Sequence, residues 1–192
     1  NWWTSQGANK EKSRRMADGE SKRVDVGVVM GSDSDLATMQ KCIDQLKEFA
    51  IAHEVRIMSA HRTPEVCHEY STTAKDRGLK VIIAAAGMAA ALPGVMAATT
   101  TLPVIGVPMA GAPLNGIDAA LSIMQMPPGV PVGCVAIGGA GAINAAILAA
   151  QILALGDAEL ADKLAQFKQR QARKVMEKDA SLTIRLPKAV KA

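Results

Sequence analysis

The 192-residue chain is 49% hydrophobic but only 3% aromatic, and its formal net charge is +4. Residues 1–23 and residues 183–192 each carry a net +3, so the rest of the chain is at about −2 and the basic charge lies at the two ends. This distribution argues against a nucleic-acid partner, the lack of aromatic residues argues against a base-stacking surface, and no apolar run reaches the ~20 residues of a membrane-spanning helix.

The chain is predicted to have three parts. Residues 1–23 are polar and lack an apolar period, so we expect a disordered basic segment in which Trp2 and Trp3 are the only possible anchors. Residues 24–182 fit one folded domain, and residues 183–192 form a basic tail. The cysteines are odd in number and widely spaced, which predicts free thiols in a reducing, cytoplasmic compartment: Cys42, Cys67 and Cys134.

The first half of the domain alternates strands with helices. Val24–Met30 is a β-branched run that ends at Gly31, and apolar residues then recur at helical spacing from Asp35. His53–Met58 alternates polar and apolar residues, which predicts a strand with Val55 and Ile57 facing inward.

The same alternation continues through the middle of the chain. Thr63 is placed to cap a helix whose first residue is Pro64 and which runs to about Arg77 and stops at Gly78. A buried strand, a helix, a fourth strand and a short helix are then predicted in turn: Leu79–Ala86, Ala89–Thr99, Pro103–Val107 and Gly116–Met124.

The last part is predicted to contain a fifth strand at Val130–Ile137, a tight loop at Gly138–Gly141 and an apolar helix at Ala142–Leu155. Asp157 caps a final amphipathic helix that buries one face, formed by Leu160, Leu164 and Phe167. Five β-α units predict an α/β domain with one parallel sheet, right-handed crossovers and helices on both faces.

The helix at 142–155 is apolar nearly all round, whereas a helix that faces solvent has a polar side. We therefore predict that it packs against another subunit of a homo-oligomer. The alternative is that the last helix covers it within the chain.

Ligands bind beyond the carboxyl ends of the strands in a doubly wound sheet, and the polar and glycine-rich segments follow those ends. They are residues 31–35, 59–64, 87–94, 108–116 and 138–141. The spacing of the histidines predicts no metal site.

The segment Gly31–Asp35 offers backbone N–H groups, two hydroxyls and two carboxylates, which can hold a phosphate or the hydroxyls of a ribose. The alternative is a simple helix cap by Ser34 or Asp35.

In the segment Ser59–Pro64, Arg62 can pair with a phosphate or carboxylate, and His61 can carry a proton near neutral pH. His61 could instead be a structural histidine. Residues 87–94 and 138–141 are rich in glycine and alanine, so either their backbone approaches a ligand closely or it packs tightly within the fold.

Several long motifs together resemble the PurE family of purine biosynthesis, over roughly residues 24–180. They are MGSDSD (Met30–Asp35), SAHRTP (Ser59–Pro64), AAGMAAALPG (Ala85–Gly94), LPVIGVP (Leu102–Pro108), LSIMQMPPGVPV (Leu121–Val132) and AIGGAGAINAAILAAQIL (Ala136–Leu153). The resemblance implies a flavodoxin-like three-layer αβα fold, a homo-octamer with sites at subunit contacts, and N5-carboxyaminoimidazole ribonucleotide mutase activity without a cofactor or metal. It also implies a pathway partner that supplies the ribonucleotide.

The resemblance assigns roles to individual residues. His61 is implied to be the acid and base of the reaction, and a set of eight residues is implied to bind the ribonucleotide: Ser32, Asp35, Ser59, Arg62, Gly87, Met88, Ala91 and Leu92. One departure concerns Ala91, where the family usually has histidine. Two alternatives stay open. One is a carboxylase that uses free CO2, and the other, suggested by Ala91, is a nucleotide-binding homologue with weakened catalysis.

Overall fold

The computed structural model describes residues 24–111 and 113–185. The predicted disorder of residues 1–23, the anchoring of Trp2 and Trp3, and residues 186–192 of the predicted basic tail lie outside these residues. Within them no helix is both long and apolar enough to cross a bilayer.

Five parallel strands form one sheet in the order β2-β1-β3-β4-β5. The strands are β1 (Val26–Met30), β2 (His53–Ile57), β3 (Val81–Ala86), β4 (Val104–Pro108) and β5 (Gly133–Cys134). This order is that of flavodoxin-like doubly wound sheets, so the predicted fold class is confirmed.

Six α-helices connect and cover the strands. They are α1 (Leu36–Glu48), α2 (Pro64–Thr73), α3 (Leu92–Thr99), α4 (Ile117–Met124), α5 (Gly138–Ala154) and α6 (Ala158–Arg185), and a single 3₁₀ turn, Asp33–Asp35, precedes α1. The last helix begins as predicted, because the Leu160 N–H donates to Asp157 Oδ1 at 3.0 Å, and it runs three residues past the predicted boundary at 182.

Two apolar clusters lie on the two faces of the sheet. One joins α1, α5 and the start of α6 to β1, β3 and β4, and includes Met39, Leu46, Ala146 and Phe167. The other joins α2, α3 and α4 to the opposite face. Strands β1, β3 and β4 are buried along their whole length, which explains their continuous apolar sequences.

Neighbouring elements cover the apolar helix α5 within the chain. Helix α5 packs on α1, on β3 and β4, and on α6, so its buried side chains are covered within the chain. Leu160 and Phe167 of α6 are buried against the same cluster, as predicted. Helix α6 therefore covers part of α5, as the alternative predicted, and the contact of α5 with another subunit stays a prediction.

Three local predictions are wrong. Val55 and Ile57 are 37% and 53% exposed, because β2 pairs only with β1 at the edge of the sheet. The fifth strand is reduced to Gly133–Cys134, and Pro131 just before it has no N–H to donate to a ladder. Residues 138–141 form the first turn of α5 instead of a loop.

Some boundaries also move. Helix α2 ends at Thr73, and the predicted stop at Gly78 instead closes the turn that follows, with φ 94°. Cys42 and Cys67 are buried free thiols as predicted, whereas Cys134 is only partly buried.

Candidate functional site

A cavity of about 710 Å³ lies beyond the carboxyl ends of β1, β2, β3 and β4. All nine residues singled out from the sequence line it: Ser32, Asp35, Ser59, His61, Arg62, Gly87, Met88, Ala91 and Leu92. The loop after β4 contributes Met109, Ala110 and Gly111. Residues 138–141 are not part of the lining, because they are taken up by α5.

The first wall of the cavity is the turn between β1 and α1. Ser32 caps this turn, because its Oγ accepts a hydrogen bond from the Ser34 N–H at 3.2 Å, and Ser34 Oγ donates to the same oxygen at 2.9 Å. Asp35 makes no side-chain capping bond at the start of α1. Asp35 thus stands at the cap position of α1 that the alternative gave it, but the side-chain capping bond is made by Ser32 at the preceding turn.

The carboxyl group of Asp35 is half-buried at the cavity. Burial raises its pKa above the ordinary value, and the neighbouring Asp33 adds to this, while a hydrogen bond with the backbone of Ser32 acts in the opposite direction. The site thus holds a carboxyl group that is easier to protonate than an exposed aspartate.

The second wall is the turn between β2 and α2, which is built around Ser59. Thr63 Oγ1 donates to the Ser59 carbonyl at 3.1 Å and accepts from the Ser59 N–H at 2.9 Å. Thr63 stands at the cap position and Pro64 at the first helical position, as predicted, but the hydroxyl makes no capping bond. Instead, the Thr63 hydroxyl stabilises the turn that places residues 60–62 at the cavity.

Arg62 connects the two walls. Its Nη2 donates to the Gly31 carbonyl at 3.0 Å, and its Nε donates to Ser59 Oγ at 3.3 Å. An exposed guanidinium held in this way is directed before any ligand arrives, which favours binding of a phosphate or carboxylate.

His61 precedes Arg62 on the same turn, and its side chain is exposed at the cavity. No hydrogen bond engages its ring within the described part of the chain. A ring that no protein group holds can receive a proton at one position and release it at another.

The third wall is the loop between β3 and α3, which has little side-chain volume. The Ala90 N–H donates to the Met88 carbonyl at 2.8 Å and the Ala91 N–H donates to the Ala89 carbonyl at 2.7 Å, so the loop is two successive tight turns. Leu92 is 2% exposed and anchors the loop in the core. Ala91 stands at the start of α3, where its methyl group supplies no chemistry.

Met88 has an unusual backbone in this loop. Its φ is 57°, in the left-handed region that costs a non-glycine residue of order 1 kcal/mol or more. Its side chain is 63% exposed at the mouth of the cavity. Nothing in the sequence indicates this conformation, because methionine has no preference for it.

Among the lining residues that the sequence reasoning did not name individually, Thr38 and Met109 have the largest side chains. Thr38 follows Asp35 by three positions, so helical spacing alone places both on one face of α1. Met109 is the first residue after β4, and the rule that sites follow strand ends identifies its segment but not its side chain.

A second cavity of about 740 Å³ is slightly larger but lies at the opposite end of the sheet. Its two lysines are engaged in ion pairs, Lys80 with Asp25 at 2.9 Å and Lys163 with Glu159 at 2.8 Å. We assign the functional site to the first cavity, because Arg62 there contacts only neutral acceptors. No group of three or more metal-ligating side chains is found among the described residues.

The part of the chain that forms the cavity is similar to known proteins. The family model described as AIR carboxylase matches residues 25–174. The chain is 53% identical over 157 residues to the N5-carboxyaminoimidazole ribonucleotide mutase of Bacillus subtilis, covering 82% of this chain and 97% of that protein. It is 53% identical over 153 residues to the mutase of Thermotoga maritima, covering 80% and 88%. The crystal structure of Treponema denticola PurE aligns with a TM-score of 0.75 at 33% identity, covering 83% of this chain and 99% of that chain.

Proposed function

The chain belongs to the AIR carboxylase family, as the resemblance predicted, and we propose that it is an N5-carboxyaminoimidazole ribonucleotide mutase. It moves the carboxylate of its substrate from N5 to C4 and gives 4-carboxy-5-aminoimidazole ribonucleotide in de novo purine biosynthesis. The observation that carries this assignment is the 53% identity to curated mutases over nearly their whole length.

Arg62 and the turn after β1 bind the ribonucleotide in this proposal. The guanidinium, already held by Gly31 and Ser59, offers its remaining N–H donors to the phosphate. The half-buried carboxyl of Asp35 and the hydroxyl of Ser32 accept hydrogen bonds from the ribose. These groups border the same cavity, so one extended ligand can reach all of them.

His61 moves the proton. The bond between N5 and the carboxylate breaks, CO2 leaves, and the electron pair returns to nitrogen, which takes a proton from His61. C4 of the ring then bonds to the carbon of CO2 and gives up its own proton to His61. One side chain donates and recovers one proton, which the unrestrained ring of His61 allows.

The third wall holds CO2 between these two steps. The segment Gly87–Leu92 offers methyl groups, a methionine and main chain to the cavity, so this side carries no charged side chain. Apolar surroundings disfavour hydration and keep a small neutral molecule near the ring. The substrate's enamine is the nucleophile, so the reaction requires no cofactor.

A homo-octamer is the proposed assembly. An exposed apolar stripe at α4 supports a contact between subunits. Four apolar residues at helical spacing in α4 and the turn before it are between 49% and 59% exposed: Leu114, Ile117, Leu121 and Met124. Covering this stripe with a second copy removes it from water, and light scattering of the purified chain measures the stoichiometry. A cytoplasmic location and a partner enzyme that supplies the unstable substrate belong to the same proposal.

The test is a mutase assay on the parent chain and on Ala91→His, with C4-carboxylated product measured. Formation of product by the parent supports the proposal, and its absence in both proteins contradicts it. A rate that depends on added bicarbonate with aminoimidazole ribonucleotide as substrate supports the carboxylase alternative. Turnover that appears only with Ala91→His supports the alternative of a homologue with weakened catalysis.

A further inference from the structure

The loop Gly87–Ala91 contains one side chain larger than a methyl group, that of Met88. The other residues of the loop present main chain and methyl groups to the cavity. If any side chain of this wall covers a bound ligand, it is the thioether of Met88.

The backbone of Met88 is strained, and burial of its side chain does not offset the strain. The residue is held at φ 57° while its side chain is 63% exposed. The two tight turns at Met88–Ala90 and Ala89–Ala91 fix this geometry. Strain that persists at a cavity without burial of the strained side chain is typical of a residue that acts on a ligand.

We propose that Met88 is an apolar cover that determines whether released CO2 is captured by C4 or lost. This rests on the proposed mutase function. Methionine is unbranched and has a polarisable sulfur, so its side chain can fold across a planar ring and adapt to it. Once CO2 has left N5, it either bonds to C4 or escapes and leaves aminoimidazole ribonucleotide behind, and the cover favours the first outcome.

The experiment measures label retention. Substrate with an isotopically labelled carboxylate is converted, and spontaneous decarboxylation without enzyme is subtracted. The label retained in the C4-carboxylated product is then compared with the label lost as CO2, which equals the aminoimidazole ribonucleotide formed. Three variants are compared with the parent: Met88→Ala, Met88→Leu and Met176→Ala. Met176 is an exposed methionine on α6, at 70%, and serves as the matched control.

We expect Met88→Ala to raise the ratio of lost to retained label about tenfold, the effect of removing a small apolar contact from a site. Met88→Leu keeps the apolar volume and should retain label nearly as the parent does, and Met176→Ala should be indistinguishable from it. Thermal unfolding shows whether each variant is folded.

The outcomes separate this inference from the proposed function. An active parent whose Met88→Ala variant retains label at the parental level overturns the inference alone. A drop in rate without a change in label retention also overturns it, because a purely structural role lowers the rate only. A parent without mutase activity overturns the proposed function and this inference with it.

Discussion

Arg62 Nη2 donates a hydrogen bond to the carbonyl oxygen of Gly31 at 3.0 Å, and so joins two turns that are 31 positions apart in the sequence. The bond ties the end of β1 to the turn after β2. One side chain therefore positions the two polar walls of the cavity and points its own charge into it. The loss of this side chain should affect ligand affinity more than folding, because Arg62 is exposed.

Arg62→Lys should weaken ribonucleotide binding by about tenfold or more, since an ammonium group cannot contact Gly31, Ser59 and a phosphate together. Isothermal titration calorimetry with the product nucleotide measures the dissociation constant. Arg56→Lys, at an exposed arginine of β2, is the control and should bind like the parent. Equal affinity of the Arg62→Lys variant would contradict the assignment.

His61→Asn should lower turnover by about 10²-fold to 10⁴-fold, the usual contribution of a positioned acid or base, and leave nucleotide affinity nearly unchanged. Initial rates and calorimetry are measured on the same preparation. His68→Asn, on an exposed position of α2, provides the comparison. If the His61 variant unfolds or loses binding and catalysis in parallel, the histidine is structural.

Asp35→Asn should stabilise the protein at neutral pH. Burial raises the pKa of Asp35 in the folded state, so this group favours folding fully below its ordinary value of 3.8 and that contribution is lost as the pH rises through the raised folded value. The uncharged amide avoids this loss. Urea midpoints measured at several pH values should show a gain at pH 7 that shrinks as the pH approaches 3.8. A gain that is independent of pH would refute the role of the charge.

Gly141→Ala should destabilise the fold by about 1–3 kcal/mol, the usual range for forcing extra atoms into a packed interior. A Cβ atom at this position meets the carbonyl group of Ala136, which is backbone and cannot move aside alone. Gly156→Ala is the control, because a Cβ there has no atom within 4 Å. Urea unfolding of both variants gives the comparison, and similar midpoints would show that the first turn of α5 can shift.

Strands and helices in the first half of the chain could be predicted because their sequences have one dominant signal. Val26–Met30 is buried on both faces, and a continuous apolar run is typical of a parallel strand that helices cover on both sides. His53–Ile57 alternates, but alternation indicates two different faces without saying whether a helix covers either one. The position of β2 at the sheet edge is set by the order of all five strands, so it cannot be predicted from the local sequence.

The segment from Val130 to Gly141 illustrates a second limit. Apolar and small residues there suit a strand followed by a glycine loop, yet two residues pair with β4 and the glycines begin a helix. Gly141 is required by the approach of Ala136, which is a property of packing between α5 and the preceding segment. Small residues fit a turn and a close contact equally well, so the sequence alone leaves both open.

Candidate site residues were easier to predict than their individual contacts. Polar residues after parallel strands converge on one edge by topology, and the nine residues that the family resemblance implied all border one cavity. The bond between Thr63 and Ser59 and the φ of Met88 depend on the exact path of each turn. Residue type indicates that Thr63 can make hydrogen bonds but does not choose between a cap and a turn.

The three walls of the cavity differ in the kind of side chain that they carry. The turns after β1 and β2 carry the charged and titratable side chains of the cavity, whereas the loop after β3 carries none. Substitutions among uncharged residues in that loop can therefore change the shape of the cavity without changing its electrostatic field. Shape and charge can thus evolve independently. A protein designer who wishes to admit a bulkier ligand should begin with residues 87–91 and leave the turns after β1 and β2 unchanged.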